Sequence, residues 1–292
     1  MMTPQHFLAL DDFAPERLRR LVDRGLEIKT ALREDGPRKD SPLRGRLMAM
    51  IFEKASTRTR ASFEAAMAHL GGSAMFLDPA STQLGRGESV ADSARVLSRM
   101  ADVIVIRTFS HSRLEEFAVH SRVPVINALT DLLHPCQLLA DVMTWQEHRG
   151  PVAGKKAAFI GDGNNVCNSW MNAARLFGFH LAVATPSGYE PDADIAARCA
   201  AAVSLTNSPE EAVAGAEVVV TDTWASMGQE EESQQRRRDF AGYQVTRETM
   251  ERAAAGAIFM HCLPAYRGQE VTEEVIDAEQ GVVWDEAENR MH

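Results

Sequence analysis

The stretch Leu47-Met48-Ala49-Met50-Ile51-Phe52, then Glu53-Lys54-Ala55, then Ser56-Thr57-Arg58-Thr59-Arg60, sets the fold class. Six apolar residues in a row have the length of a buried strand. Beyond the polar turn, Phe63, Ala66, Met67 and Leu70 recur at the i, i+3, i+4, i+7 spacing of one helical face, and Gly71-Gly72 gives a stop. The order is strand, polar turn, helix. Ser56 to Thr59 therefore lie at a helix N-terminus, where unpaired N–H groups and the positive end of the helix dipole favour an anion. Three hydroxyls and two guanidinium groups add donors. Capping alone would account for Ser56, but two arginines in a first turn oppose the dipole unless an anion arrives. The ligand this points to is a phosphate.

Working outward, 292 residues suggest about two domains, and 45% apolar with 25% charged residues is ordinary for a globular protein. A net charge of −10 argues against nucleic acid as a partner, which needs a basic surface to displace counterions, while leaving room for a small anion in a locally basic pocket. Cys136, Cys167, Cys199 and Cys262 include no C-x-x-C pair, so neither a zinc site nor a disulfide framework is indicated, and no metal or other cofactor is expected. Met1 to Leu10 has the character of neither a signal nor a transit peptide, and no apolar run approaches the roughly 18 residues of a membrane span. The expectation is a soluble, cytoplasmic protein with no membrane partner.

In chain order, Pro15 opens a helix with Leu18, Leu21, Val22 and Gly25 on one face. Asp78 to Glu88 reads as an exposed loop before a helix carrying Val90, Ala94 and Leu97. Ala101 to Ile106 and Val123 to Asn127 read as strands, with Arg107 at the C-terminal end of the first; Pro135 starts a helix with Leu138, Leu139 and Val142 inward. The Gly- and Pro-containing run from Arg149 to Lys156 is the candidate boundary. Beyond it, Ala157 to Ile160 (strand), Gly161-Asp162-Gly163-Asn164-Asn165 (turn), Asn168 to Phe177 (helix) and His180 to Ala184 (strand) form a βαβ unit. Strands follow at Val218 to Thr221 and Ile258 to His261, separated by a helical segment in which Glu232 and Arg236 stand at i, i+4. The fold class is α/β: two doubly wound parallel-sheet domains, residues 1–148 and 149–292, with the active site in the cleft between them.

In open parallel sheets, ligands bind beyond the carboxyl ends of the strands. Ser56 to Thr59, Arg107, His134, Asn165, Asp222 and Cys262 all fall at such ends. Gly161-x-Gly163 also invites a dinucleotide reading, but the third glycine of that fingerprint falls at Val166, and Thr185-Pro186 stand where an acidic ribose ligand is wanted. Asn165 either bonds a small polar substrate or caps its helix. His134 taken alone reads equally as a satisfied core histidine, Cys262 as a small buried residue, and Asp222 as a strand terminator.

Four elements carry a resemblance. Phe52 to Arg60, His134-Pro135-Cys136-Gln137, Asp222-Thr223-Trp224-Ala225-Ser226-Met227-Gly228 and His261-Cys262-Leu263-Pro264-Ala265 resemble, in order, signatures of the ornithine carbamoyltransferases, and the match runs on to Glu286-Ala287-Glu288-Asn289-Arg290. The first two are shared with aspartate carbamoyltransferases; the last two resemble the ornithine branch.

The resemblance implies transfer of a carbamoyl group from carbamoyl phosphate to the δ-amine of L-ornithine, giving citrulline and phosphate, in arginine biosynthesis. It implies that Ser56, Thr57, Arg58 and Thr59 hold the phosphate with Arg107, and with Gln83 from a neighbouring subunit of a homotrimer or a multiple of it. It implies that His134, Pro135, Cys136 and Gln137 address the carbamoyl group, with Cys262, Leu263 and Arg290 close by, and that Asn165, Asp222, Ser226 and Met227 position ornithine. Arg107, His134 and Cys262 are the residues expected at the chemistry. The family usually continues past this point with a helix returning to the first domain, so a C-terminal interdomain helix is expected to be missing. The rival readings are carbamoyl transfer to putrescine or acylated ornithine, and a non-catalytic truncated binding form.

Overall fold

The computed structural model describes residues 4–36, 40–78, 87–225 and 233–292. The chain divides into two compact units, Met1–Leu139 with Arg290–His292, and Ala140–Asn289. Each is built on a parallel sheet flanked by helices, the α/β class expected from the sequence.

In the first unit, α1 (Pro15–Asp35) precedes β1 (Leu47–Phe52), α2 (Thr57–His69), β2 (Ser73–Leu77), α3 (Val90–Leu97), β3 (Val103–Arg107), α4 (His111–His120), β4 (Val125–Leu129) and the first turns of α5 (Pro135–Arg149). The strands lie in the order β2-β1-β3-β4, all parallel. The apolar run of β1 serves two cores, because alternate side chains leave a strand on opposite faces. Met48, Met50 and Phe52 join Met67 of α2, whereas Ala49 and Ile51 join Ala94 of α3 and Leu114 and Phe117 of α4. In α1, Leu18, Val22 and Gly25 are buried as their spacing predicts, but Leu21 is 42% exposed. The buried face continues instead through Lys29, one helical repeat further on.

In the second unit, β5 (Lys156–Ile160), α6 (Asn165–Phe177), β6 (His180–Ala184), α7 (Ala193–Cys199), β7 (Val203–Thr206), α8 (Pro209–Val213), β8 (Val218–Val220), α9 (Ser233–Asp239), α10 (Arg247–Glu251), β9 (Ile258–Met260), α11 (Glu273–Ile276) and α12 (Val283–Asn289) follow. The strand order is β7-β6-β5-β8-β9, again all parallel. Trp145 in the second half of α5, Trp170 of α6 and Phe179 pack as a ring cluster with centroids 5.0 to 6.4 Å apart. This anchors α6 against the unit's interior. Glu232, assigned to a helical ion pair with Arg236, lies outside the described residues.

The strand orders fix where a ligand can enter. Each sheet reverses direction once, between β1 and β3 in the first unit and between β5 and β8 in the second. Connections leaving the two central strands diverge to opposite faces there and leave a crevice. In the second unit one crevice wall is the turn Gly161 to Asn164. A side chain at Gly163 would place its Cβ 2.2 Å from the Pro191 nitrogen, 2.4 Å from the Glu190 carbonyl carbon and 2.6 Å from the Tyr189 oxygen. Glycine here lets one loop lie against another, and the Gly163 N–H donates to the Tyr189 oxygen at 2.9 Å. That is why a G-x-G pair occurs without a dinucleotide fingerprint.

Gly163→Ala is expected to destabilise the protein by about 2 kcal/mol or more, since backbone rather than a flexible side chain must give way. Gly178→Ala, at a left-handed helix cap with nothing within 4 Å, should cost only about 1 kcal/mol. Urea unfolding midpoints of the two variants check the order.

Candidate active site

At the first unit's reversal, Ser56 caps α2 from an extended conformation, its hydroxyl accepting the Thr59 N–H at 3.3 Å and donating to the Thr59 hydroxyl at 2.9 Å. The first turn of α2 contains no acidic residue. Its two arginines divide. Arg60 pairs with Glu64 at 2.8 Å and lies 4.1 Å over the Phe76 ring, so it is committed to the helix surface. Arg58 is half-buried at the helix start. Arg107, buried at the end of β3, stands beside this loop in the sheet, its strand register facing Phe52 of β1.

A third guanidinium completes the group. Arg290 donates to the Thr59 hydroxyl at 3.3 Å, to the side-chain oxygen of Gln137, and faces the His134 Nε2 at 3.3 Å. Residues separated by up to 231 positions thus meet at one side chain. The connection between β4 and α5 that carries His134 is tied down locally. Thr130 and Leu133 exchange hydrogen bonds, the Asp131 N–H donates to the Phe109 oxygen at 2.8 Å, and Lys54 pairs with Asp131. Cys136 donates to the Asn127 carbonyl at 3.3 Å, and burial raises its thiol pKa to about 11, which makes it a structural thiol.

His134 is buried, and burial, followed by the charges of Arg290 and Arg107, pushes its pKa well below the usual imidazole value. The ring is therefore neutral. A guanidinium can only donate, so Nε2 presents a lone pair to Arg290 and the ring proton sits on Nδ1.

The second unit's reversal presents a carboxylate held by neutral donors. Asp222, 8% exposed just after β8, accepts the Thr223 N–H at 2.8 Å and the Cys262 S–H at 3.3 Å on Oδ1, and an Asn164 N–H at 2.8 Å on Oδ2. Part of Cys262 remains accessible, yet its thiol is ringed by protein. Burial, then Asp222, Glu286 and Asp141, hold its pKa well above the usual thiol value. It is a hydrogen-bond donor at neutral pH, not a thiolate. His261 spends both ring nitrogens within the fold: Nδ1 accepts the Leu263 N–H at 2.9 Å and Nε2 faces the buried Glu270 at 3.2 Å. Asp222, His261 and Cys262 offer ligand atoms within 4.8 Å of one another, but the imidazole has no lone pair left for a metal ion.

Two family models match in tandem: the aspartate/ornithine carbamoyltransferase carbamoyl-P binding domain over residues 5–147, and the Asp/Orn binding domain over residues 153–292. The chain belongs to the aspartate/ornithine carbamoyltransferase family. An ornithine carbamoyltransferase of Chromohalobacter salexigens is 57% identical over 291 residues, covering 100% of this chain and 95% of that protein. The anabolic ornithine carbamoyltransferase of Pseudomonas aeruginosa is 55% identical over 291 residues, with the same coverage. The solved structure of ornithine carbamoyltransferase from Pyrococcus furiosus matches with a TM-score of 0.94 at 46% identity, covering 99% of this chain and 94% of that one.

Of the residues singled out from sequence, Thr59, His134, Gln137 and Arg290 are joined by direct contacts, and Asp222 and Cys262 by another. Ser56 joins the first group through Thr59. Pro135 opens α5, and Thr57 is exposed in the first turn of α2. Leu263 takes a left-handed backbone, φ 58°, before a cis bond to Pro264. Asn165 is the first residue of α6, while the cap is Asn164. Gln83, Ser226 and Met227 lie outside the described residues. The sequence placed Asn164 only in a turn and Arg236 only at helical spacing from Glu232. Arg236, buried on α9, donates to the Trp224 oxygen at 2.8 Å and to Asp162 at 3.1 Å, clamping the turn after β8 to the turn after β5. The asparagine pair at 164–165 held a signal for the cap; nothing in the sequence marked Asp162 and Trp224 as the partners of Arg236.

His134 binds a proton with a pKa near 6.5 in the unfolded chain and far less readily in the native chain. Stability from this site is therefore present above pH 6.5 and lost as pH falls below it, by up to ~1.4 kcal/mol per pH unit. Urea titrations of the wild type and His134→Asn are expected to converge between pH 7.5 and 5.5, with the wild type losing more.

Proposed function

We propose that this chain is an ornithine carbamoyltransferase acting in arginine biosynthesis, with residues 1–148 binding carbamoyl phosphate and residues 149–292 binding L-ornithine. The observation that carries this reading is the opposite charge at the two sheet reversals. Arg58, Arg107 and Arg290 gather at the α2 N-terminus in one unit, and Asp222 stands at the corresponding place in the other. The first suits a phosphate ester and the second a substrate ammonium. The family models and the relatives' names support the same assignment.

In this reading Ser56, Thr57, Arg58, Thr59 and Arg107 hold the phosphate, with Gln83 supplied by a neighbouring subunit of a cytoplasmic homotrimer or a multiple of it. His134, Pro135, Cys136, Gln137, Cys262, Leu263 and Arg290 surround the carbamoyl group. Asn165, Asp222, Ser226 and Met227 hold ornithine, with Asp222 answering the α-ammonium. The neutral δ-nitrogen bonds to the carbamoyl carbon, negative charge develops on the carbonyl oxygen, the carbon–oxygen bond to phosphate breaks, and phosphate leaves with that electron pair and takes up the proton that the nitrogen sheds. Arg107 and Arg290 supply positive charge to the oxyanion and the Thr59 hydroxyl a hydrogen bond. His134, being neutral, orients rather than neutralises. The δ-ammonium, with a pKa near 10, must lose a proton before attack, at a cost of ~4 kcal/mol at pH 7, which a cationic and water-poor surrounding lowers. Cys262, a protonated thiol donating to Asp222, helps hold the carboxylate that faces the α-ammonium.

Putrescine has no α-ammonium or carboxylate, and acylation removes the charge that Asp222 answers. Colorimetric citrulline assays with carbamoyl phosphate are therefore expected to give turnover with ornithine and at least about 100-fold less ureido product with putrescine or acetylornithine. Tight binding of both substrates without product would reject the enzymatic reading. Arg107→Ala should lower kcat/KM by ~10³-fold, near 4 kcal/mol of transition-state stabilisation; a near-normal rate would overturn its assignment.

A further inference from the structure

We infer that Asn164 is a positioning residue for the reaction: its amide turns the Asp222 carboxylate so that one Oδ2 lone pair is left for the substrate α-ammonium. This rests on the reading of Asp222 as the α-ammonium ligand and adds to it a residue outside the set assigned above.

The orientation of the Asn164 amide is not a free choice. Its Oδ1 accepts two backbone N–H groups of α6, from Val166 at 2.9 Å and Cys167 at 3.2 Å. A flipped amide would turn its NH₂ onto two donors, so Nδ2 must lie on the far side. There it meets Asp222 Oδ2 at 2.8 Å. The helix N-terminus thus dictates the direction of donation to the carboxylate.

Counting lone pairs gives the consequence. An ionised carboxylate has about four acceptor positions. Thr223 N–H and Cys262 S–H take the two on Oδ1, and Asn164 takes one on Oδ2. One position on Oδ2 remains for a ligand, in a direction set by where Asn164 sits. The amide is also neutral. A lysine or arginine in its place would cancel the charge that the α-ammonium needs, whereas Asn164 fixes the carboxylate and leaves its charge intact. Because Asn164 ends the turn after β5 and Asp222 follows β8, their bond spans the sheet reversal itself.

The test uses two variants that keep a helix cap: Asn164→Asp, which matches the side chain in length but offers Asp222 no N–H at neutral pH, and Asn164→Ser, which caps but is too short to reach it. Thermal midpoints monitor the cap. The measurements are KM for ornithine, KM for carbamoyl phosphate, and Ki for L-norvaline, an α-amino acid of the same chain length without the δ-amine. In both variants the ornithine KM and the norvaline Ki are expected to rise at least tenfold, more for Asn164→Asp, with the carbamoyl phosphate KM within twofold of wild type. Values for ornithine and norvaline within twofold of wild type would overturn the inference, as would a parallel rise in the carbamoyl phosphate KM. Asp222→Asn, measured alongside, separates the two levels. An unchanged ornithine KM in that variant rejects the Asp222 assignment itself, while a raised one with normal Asn164 variants rejects only the role of Asn164.

Discussion

An open parallel sheet can place a ligand where its strand order reverses, because the connections from two adjacent strands then leave on opposite faces and nothing closes the space between them. Both units meet this constraint. In the first, the loops after β1 and β3 flank the reversal, and in the second those after β5 and β8 do. The candidate site follows from it. Ser56, Arg107, Asn164 and Asp222 all stand within four residues of the C-terminal end of a central strand. The rest of each unit, from the two-faced packing of β1 to the Trp145, Trp170 and Phe179 cluster beneath α6, holds those strand ends in register.

Charge then divides the work. The first unit gathers guanidinium groups around a helix N-terminus and keeps the buried imidazole of His134 neutral; the second wraps the Asp222 carboxylate in neutral donors and keeps the Cys262 thiol protonated. Each arrangement follows from burial among charges of one sign. A proton is costly beside Arg107 and Arg290, and a thiolate is costly beside Asp222, Glu286 and Asp141.

The sequence made legible what repeats or stands in a continuous pattern. β6 is found at the residues expected because it is an apolar run paired on both sides, whereas β7 escaped notice: it is an edge strand whose Ser204 and Leu205 are exposed, so no alternation marks it. Helical spacing of apolar residues puts Leu21 on the buried face of α1 and leaves out Lys29, yet Leu21 is exposed and the helix buries the lysine. Motifs located Thr59, His134, Gln137, Asp222, Cys262 and Arg290. They did not reveal that the cap of α6 is Asn164, since a cap differs from its neighbour only in backbone angle. Helical spacing paired Arg236 with Glu232, and its observed partners, Asp162 and the Trp224 carbonyl, were invisible because they are brought to it by the turns after β5 and β8 and not by sequence proximity.

Arg290 bears on the order of events during synthesis. Its guanidinium is shared by Thr59, His134 and Gln137, whose elements all emerge from the ribosome far earlier. The sheet and helices of the first unit can pack as they appear, since domains generally fold as units from the N-terminus. Its cluster of guanidinium groups, however, stays one short until residue 290 has been made. A nascent chain therefore passes through a long interval in which that unit can hold its shape while Thr59, His134 and Gln137 still lack the guanidinium they share, and the contact that joins the three arrives late, with a single side chain.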